Sequence, residues 1–261
     1  MIEMIREIMK YRDLLWMLTL RDIRIRYKQA AMGFLWAIFM PIIAVAAGVL
    51  IKKAMSVVSG KPMDLEGILS ISVKVLPWTF FISAIKFSVQ SLVGNRNLIT
   101  KIYFPKAVLV FASIFACLFD FMIASSVLFL LLLMMGVGFH VYLFWLPILL
   151  ISLVFFTSGL GLLLSSANLF YRDIKYIVEI ILMFGIFFTP VFYEASAFGE
   201  WKTLLLLNPL GSILEAINAV IVLHLMPEIN WIVYSVVSSV LVFFAGLAVF
   251  HKYEPIFAEY I

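Results

Sequence analysis

Five stretches of the chain, at about 33–51, 75–94, 107–135, 141–167 and 231–250, stay apolar for the length a helix needs to cross a bilayer. That length is about 20 residues for a hydrocarbon core of roughly 30 Å. A sixth stretch, about 175–193, is apolar except for Lys175 and Glu179. No other feature limits the fold so strongly, because backbone polar groups in lipid must be satisfied inside the protein. The composition agrees. Hydrophobic residues make up 65% and charged residues 13% of the 261 residues, whereas a soluble domain is about half apolar and a quarter charged. A chain this poor in charge does not cover a water-facing surface. The sequence therefore predicts an all-α polytopic membrane protein with six transmembrane helices.

The stretch 203–226 is apolar in bulk but broken by Asn208-Pro209, Gly211-Ser212, Glu215 and Asn218. A proline and a glycine that close together interrupt the helical hydrogen-bond ladder. Non-helical backbone at membrane depth survives only where protein or a water-filled cavity covers it. The pattern predicts two short re-entrant helices between spans five and six. Six spans place both termini on one side. Thirteen Lys and Arg residues fall on the terminal side and five on the other, with Lys86 inside a span, so the positive-inside rule makes both termini cytoplasmic.

The N-terminal segment is amphipathic at helical spacing. Glu3, Arg6, Glu7, Lys10 and Asp13 share one arc, which Arg21, Arg24 and Lys28 continue. Ile2, Ile5, Ile8, Met9, Leu15 and Trp16 lie opposite, with Arg12 intruding. This predicts a helix along the cytoplasmic interface, serving as an anchor, a docking surface or both. Residues 1–16 mix acids and bases and lack the apolar core of a signal peptide, so no cleavable leader is expected. The chain divides into an interface helix at 1–32, a six-span domain at 33–250 and a cytoplasmic tail at 251–261.

Catalytic chemistry is missing from the pattern. His140, His224 and His251 stand far apart in sequence and share no ligand spacing with Cys117 or a carboxylate pair, so neither a metal site nor a bound cofactor is expected. A lone cysteine forms no intrachain disulfide. A nucleotide loop requires G-x-x-x-x-G-K-[ST]. The single Gly-Lys pair, Gly60-Lys61, is followed by Pro62 and preceded five residues back by Met55. The chain is thus expected not to be an enzyme, and any work driven by nucleotide draws on a separate ATPase that holds the ATP and Mg. The net charge of +4 is too small to point to nucleic acid. Gly136/Gly138 and Gly159/Gly161 suit helix ends and close helix packing.

Lys86, Asp120 and Glu179 lie at or near membrane depth, where a charge costs roughly 2.5–3.5 kcal/mol on insertion scales and usually faces protein or water. A Lys86–Asp120 pair would remove both penalties, either as a structural tie between two helices or as part of an ion relay. Glu179 is placed to snorkel or to pair with Lys175 one turn away. Aromatic residues make up 16% of the chain. Trp16, Trp36, Trp145 and Trp231 sit near span ends, as interfacial belts do. Others cluster inside spans, at Trp78, Phe80, Phe81 and Phe87 and at Phe184, Phe187, Phe188, Phe192 and Tyr193. They serve lipid contact and packing or line a conduit, where sugar rings stack on aromatic faces and slide without a deep well.

Three stretches together resemble one family. They are RDIRIRYKQAAMGFLWAIFMP at 21–41, NLFYRDIKYIVEIILMFGIFFTPVFY at 168–193 and LLNPLGSILEAI at 206–217. In order and spacing they resemble the ABC-2 type permeases that export polysaccharides, the group handling lipopolysaccharide O-antigen, teichoic acid and capsule. The resemblance implies a bacterial inner-membrane half-transporter that forms a homodimer and pairs with two copies of a cytoplasmic ATPase to move lipid-linked polysaccharide. It implies that the loop between spans two and three, NRNLITKIYFPK at 95–106, is a coupling helix, with Asn95, Arg96, Asn97, Lys101, Tyr103 and Phe104 touching the ATPase. It also implies that the broken stretch gates the exit, with Asn208, Pro209 and Glu215 in it and Glu194 and Glu200 beside it. The channel at the dimer interface would be lined by Trp36, Phe39, Phe187, Phe188 and Tyr193.

Other classes fit fewer features. An ABC-2 exporter of a small drug or lipid would use the same machinery with a narrower conduit. An ion-coupled secondary carrier would use Asp120 with Lys86 and Glu179, but such carriers often show matching broken helices in two halves, and only one broken segment is present. A membrane-embedded glycosyltransferase would need clustered carboxylates on one loop, and the outer loops scatter theirs.

Overall fold

A computed structural model describes residues 2–28, 33–59, 65–134, 136, 138 and 140–260. The Gly60-Lys61-Pro62 stretch and the 29–32 junction before the first span lie outside them. Among the described residues the chain is helical, with no strand. The N-terminal segment forms α1 (Ile2–Lys10) and α2 (Arg12–Lys28). These join at Tyr11, whose N–H donates to both Glu7 O and Ile8 O at 3.1 Å. The helices α3 (Trp36–Ser59), α4 (Leu65–Gly94), the short α5 (Arg96–Lys101) and α6 (Ala107–Met134) follow. A turn at Val141–Trp145 leads into α7 (Leu146–Phe170), and α8 spans Ile174–Gly185. The broken stretch forms α9 (Lys202–Leu206) and α10 (Pro209–Ile221). The chain then crosses in α11 (Ile229–Tyr253) and ends in the single turn α12 (Phe257–Tyr260).

Among the described residues four segments are long and apolar enough to cross a membrane: Glu66–Gly94, Ala107–Met134, Val141–Phe170 and Ile229–Ile256. The span expected at 75–94 begins ten residues earlier, at Leu65, and carries Pro77 inside it. The span expected at 175–193 is a helix only over Ile174–Gly185. Twelve residues rise about 18 Å, short of the roughly 30 Å core. Turns carry the chain on past Gly185 to Pro190, and the residue before a proline is pushed out of helical geometry.

The centre of the structure is α4, packed against α6 on one side and α7 on the other, with α11 behind α7. Small residues set the spacing. A Cβ added at Gly159 would lie 2.5 Å from Val242 O on α11, and one at Gly246 would lie 2.4 Å from Gly159 O. The two glycines bring backbone against backbone, beside the buried Ser158, Ser235 and Ser239, and small residues are what let helices approach in lipid. The opposite face of α7 meets α4 through Gly161, whose added Cβ would lie 3.0 Å from Ser88 Oγ.

The end of the bundle where α6 begins and α11 ends is closed by the residues after the last span. The Lys106 backbone N–H donates to Glu254 Oε1 at 2.6 Å, tying the start of α6 to the end of α11. Phe170, at the end of α7, meets Tyr253, Phe257 and Tyr260 edge-on at 5.0–6.0 Å. Residues 251–260 are thus folded against the bundle, with Phe257 fully buried.

The α7–α11 contact predicts sharp intolerance at its glycines. Gly159→Val and Gly246→Val each push a side chain into backbone that does not yield, so each destabilises by at least about 2 kcal/mol. Gly94→Ala, with nothing within 4 Å of the new Cβ, leaves stability unchanged. Detergent-solubilised thermal melts of the three variants check this.

Candidate functional site

Three places combine polar chemistry with exposure. The first is a cavity of about 510 Å³ between α2, α3, α4 and α6, lined by Arg26, Trp36, Phe80, Phe87, Asp120 and Phe121 among others. Asp120 lies thirteen residues into α6, about 20 Å along the helix from its first residue. Arg26 Nη1 donates to Asp120 Oδ2 at 2.7 Å, and the Tyr27 hydroxyl donates to Oδ1. The second guanidinium nitrogen reaches Cys117 Sγ at 3.3 Å, and the guanidinium carbon stands 4.0 Å over the Phe87 ring. The Arg26 head is therefore met by a carboxylate, a sulfur and an aromatic face.

This arrangement corrects the expected Lys86–Asp120 pair. The Asp120 oxygens are taken by α2, and the exposed Lys86 makes no ion pair with them. Arg26 is the residue that sequence reasoning missed. It falls off the polar arc shared by Arg21, Arg24 and Lys28, a charge on the wrong side of an amphipathic helix, and that is the signal that marks it. Glu179 likewise makes no ion pair with Lys175, whose ammonium instead sits 4.6 Å from the Tyr176 ring centre.

The second place is the broken stretch. Asn208 caps α10: its Oδ1 accepts from Leu210 N at 3.2 Å, its Nδ2 donates to Thr189 Oγ1 at 3.0 Å, and Pro209 occupies the first turn. Glu215 is tied to its neighbours. Its Oε1 accepts from Lys74 Nζ at 3.1 Å and from Ala195 N at 3.3 Å. Lys74 also donates to Tyr193 O at 2.6 Å. Lys74, one residue before the span expected at 75–94, is fully buried in α4. A lone lysine between valines in an apolar run was its only mark. Glu194 and Glu200 flank the stretch, with the Glu194 charge near Lys74, and Lys202 pairs with Glu228. His140 and His224, far apart in sequence, meet with ring centres 3.9 Å apart and planes tilted by 37°. Burial, then the neighbouring His140, lowers the His224 imidazole below its usual range.

The third place is the loop after α4. Asn95 Nδ2 donates to Ser91 O at 2.8 Å, which fixes the start of α5. Arg96, Asn97 and Lys101 are exposed, and Tyr103 is 86% exposed. Phe104 is the exception among the expected contact residues. It is 2% exposed and belongs to the core, anchoring the loop rather than meeting a partner.

The aromatic residues expected along a channel divide. Trp36 lines the first cavity, with Phe39 edge-on to it at 5.8 Å. Phe39, Phe187 and Phe188 present exposed rings on α3 and beyond α8. The Tyr193 hydroxyl donates to Phe187 O, and its ring packs on Phe198 at 4.8 Å.

Residues 13–222 match the family described as ABC-2 type transporter, and the chain belongs to that family. It is 29% identical to the O-antigen export system permease protein RfbA of Myxococcus xanthus, over 99% of both chains. It is 28% identical to a protein of the same name from Klebsiella pneumoniae, over 95% of this chain and 94% of that one. The chain is a transport protein of the membrane, and the three places above are where it has polar chemistry to use.

The cluster around Arg26 yields a direct test, because the chain's single cysteine is part of it. Cys117, buried against Arg26, resists N-ethylmaleimide in the native protein. Asp120→Ala leaves Arg26 without its carboxylate, destabilises the seat of α2 by about 3 kcal/mol, and raises the labelling rate of Cys117 at least tenfold. Mass spectrometry of the intact chain reads the adduct.

Proposed function

We propose that this chain is the permease subunit of an ATP-driven exporter that moves lipid-linked polysaccharide, such as O-antigen, across the bacterial inner membrane. The observation that carries the reading is likeness to O-antigen export permeases over nearly the whole chain, in a protein whose only Gly-Lys pair does not form a nucleotide loop. Two copies of a separate cytoplasmic ATPase bind the ATP and Mg, and this chain binds neither. Residues 1–32 form the interface segment, and 33–250 form a six-span domain in which α3, and α8 with the turns after it, add to the four long spans. α9 and α10 re-enter from the outer side. The terminal segments, including 251–261, lie in the cytoplasm.

The exposed apolar faces of α3 and of the α8 region support a homodimer built on spans one and five. Lipid already covers the apolar faces of a membrane protein, so it is their aromatic content that favours a conduit between two copies. Phe39, Phe187 and Phe188, with Trp36 and Tyr193 behind them, are placed to line a conduit between two copies along which sugar rings stack and slide. Asn208 and Pro209 shape the hinge of the exit stretch, and Glu215 holds it to α4 through Lys74. The ATPase meets the loop of Asn95, Arg96, Asn97, Lys101 and Tyr103, while Phe104 roots that loop in the bundle. ATP binding draws the two coupling helices together and rocks the permeases into a continuous channel. Asp120, the residue an ion-coupled carrier would titrate, is committed to Arg26.

The test separates coupling from folding. Arg96→Glu with Lys101→Glu changes only exposed side chains, so the permease still accumulates in the membrane. ATP hydrolysis by the complex continues while polysaccharide export falls at least tenfold. Export at the native rate from the double variant would remove the coupling role from this loop.

A further inference from the structure

Beside the coupling loop, three separate segments converge on one small cavity of about 210 Å³, walled by Val93, Arg96, Leu169, Arg172 and Tyr260. Each polar residue is held there by its own fastening. Arg96 opens α5 directly after Asn95, whose side chain is bonded to Ser91 O. Arg172 sits in the turn between α7 and α8. That turn is pinned by the buried Asn168, whose Nδ2 donates to Val89 O at 2.9 Å and whose Oδ1 accepts from Lys175 N at 3.2 Å. Tyr260 is placed by α12, which is rooted through the buried Phe257 and the edge-on contact of Tyr260 with Phe170 at 5.0 Å.

Two guanidinium groups thus face one slot. Among the described residues the ion pairs involve Arg12, Arg21, Arg26, Lys74 and Lys202, and neither Arg96 nor Arg172 has an acid. Both arginines are exposed, and two like charges lining one slot raise its attraction for an anion. Planar guanidinium forks match a carboxylate through paired, charge-assisted hydrogen bonds. The apolar walls, Val93 and Leu169, suit the methylene stem of a side chain rather than a hydrated free ion. The slot is continuous with the exposed coupling loop through Arg96.

We infer that this slot receives an aspartate or glutamate side chain of the partner ATPase. It forms a second point of attachment beside the coupling helix, with Arg172 and Tyr260 as contact residues. The inference rests on the export reading and extends it by naming the chemistry of the partner's surface. A helix seated at one point pivots freely. A carboxylate gripped between Arg96 at the start of α5 and Arg172 at the start of α8 fixes the ATPase's rotation, and joins its movement to α8 as well as to α4.

The test titrates the purified partner ATPase onto the full-length permease held in lipid nanodiscs, at low and high salt. Arg172→Ala weakens the complex about tenfold and flattens its salt dependence, while Arg172→Lys restores part of the affinity. A benzophenone amino acid introduced at Val93 forms its adduct with an ATPase peptide that contains the carboxylate, and reversing that carboxylate to arginine restores binding to Arg172→Glu. Wild-type permease that binds no ATPase overturns the export reading and the slot with it. Wild type that binds while Arg172→Ala binds equally well overturns the slot alone. An adduct found only on phospholipid, or only within the permease, also overturns it.

Discussion

The ion pair between Arg26 and Asp120 governs how this structure is assembled. A carboxylate about 20 Å up a membrane helix is tolerable only if the protein supplies its counterion. Here the counterion arrives from outside the span, on the last turn of the interface segment. The consequence is a change in what that segment is. It does not simply float in the headgroup layer, because its end is drawn up against α6 and becomes one wall of the aromatic cavity. Lys74 and Glu215 repeat the arrangement toward the other end of the bundle, joining α4 to the exit stretch. Each mobile element of the proposed transport cycle is thus held to the central bundle by one buried charge pair.

Between those two ties lies a part that has little freedom to move. α4, α6, α7 and α11 meet through glycines and serines, and backbone contact at Gly159 and Gly246 leaves no slack. The rim at the start of α6 is closed by the bond from Lys106 to Glu254 and by the aromatic cluster around Phe170. Packed interiors compress little, which is what the proposed push at α5 requires of the bundle. The exposed aromatic faces of α3 and of the residues after α8 stand on its margin, where a second copy would meet them.

The sequence made the class of protein and much of its layout legible. Apolar length marked the four long spans, and Asn208-Pro209 marked the break that the structure places between α9 and α10. What stayed hidden was rotation about the helix axes. α4 and α6 are apolar on nearly every side, so the pattern carries no stripe to say which face meets which neighbour. Lys86 and Asp120 looked like partners because both lie at depth. Arg26 won because α2 leans on the face of α6 that carries Asp120. Lys74 was hidden by its position at a span edge, and the His140–His224 contact by its distance in sequence. Phe104 was counted with the exposed loop because a loop sequence does not show which aromatic turns back into the core.

The central claim is that ATP hydrolysed on another chain drives export through this one. The most direct measurement uses inverted, sealed proteoliposomes containing the permease and its partner ATPase, with a short lipid-linked oligosaccharide in the outer leaflet. Transfer of the sugar to the lumen that requires ATP hydrolysis and ignores ion gradients is the predicted result. Transfer driven by a proton or sodium gradient with the ATPase left out would contradict the account.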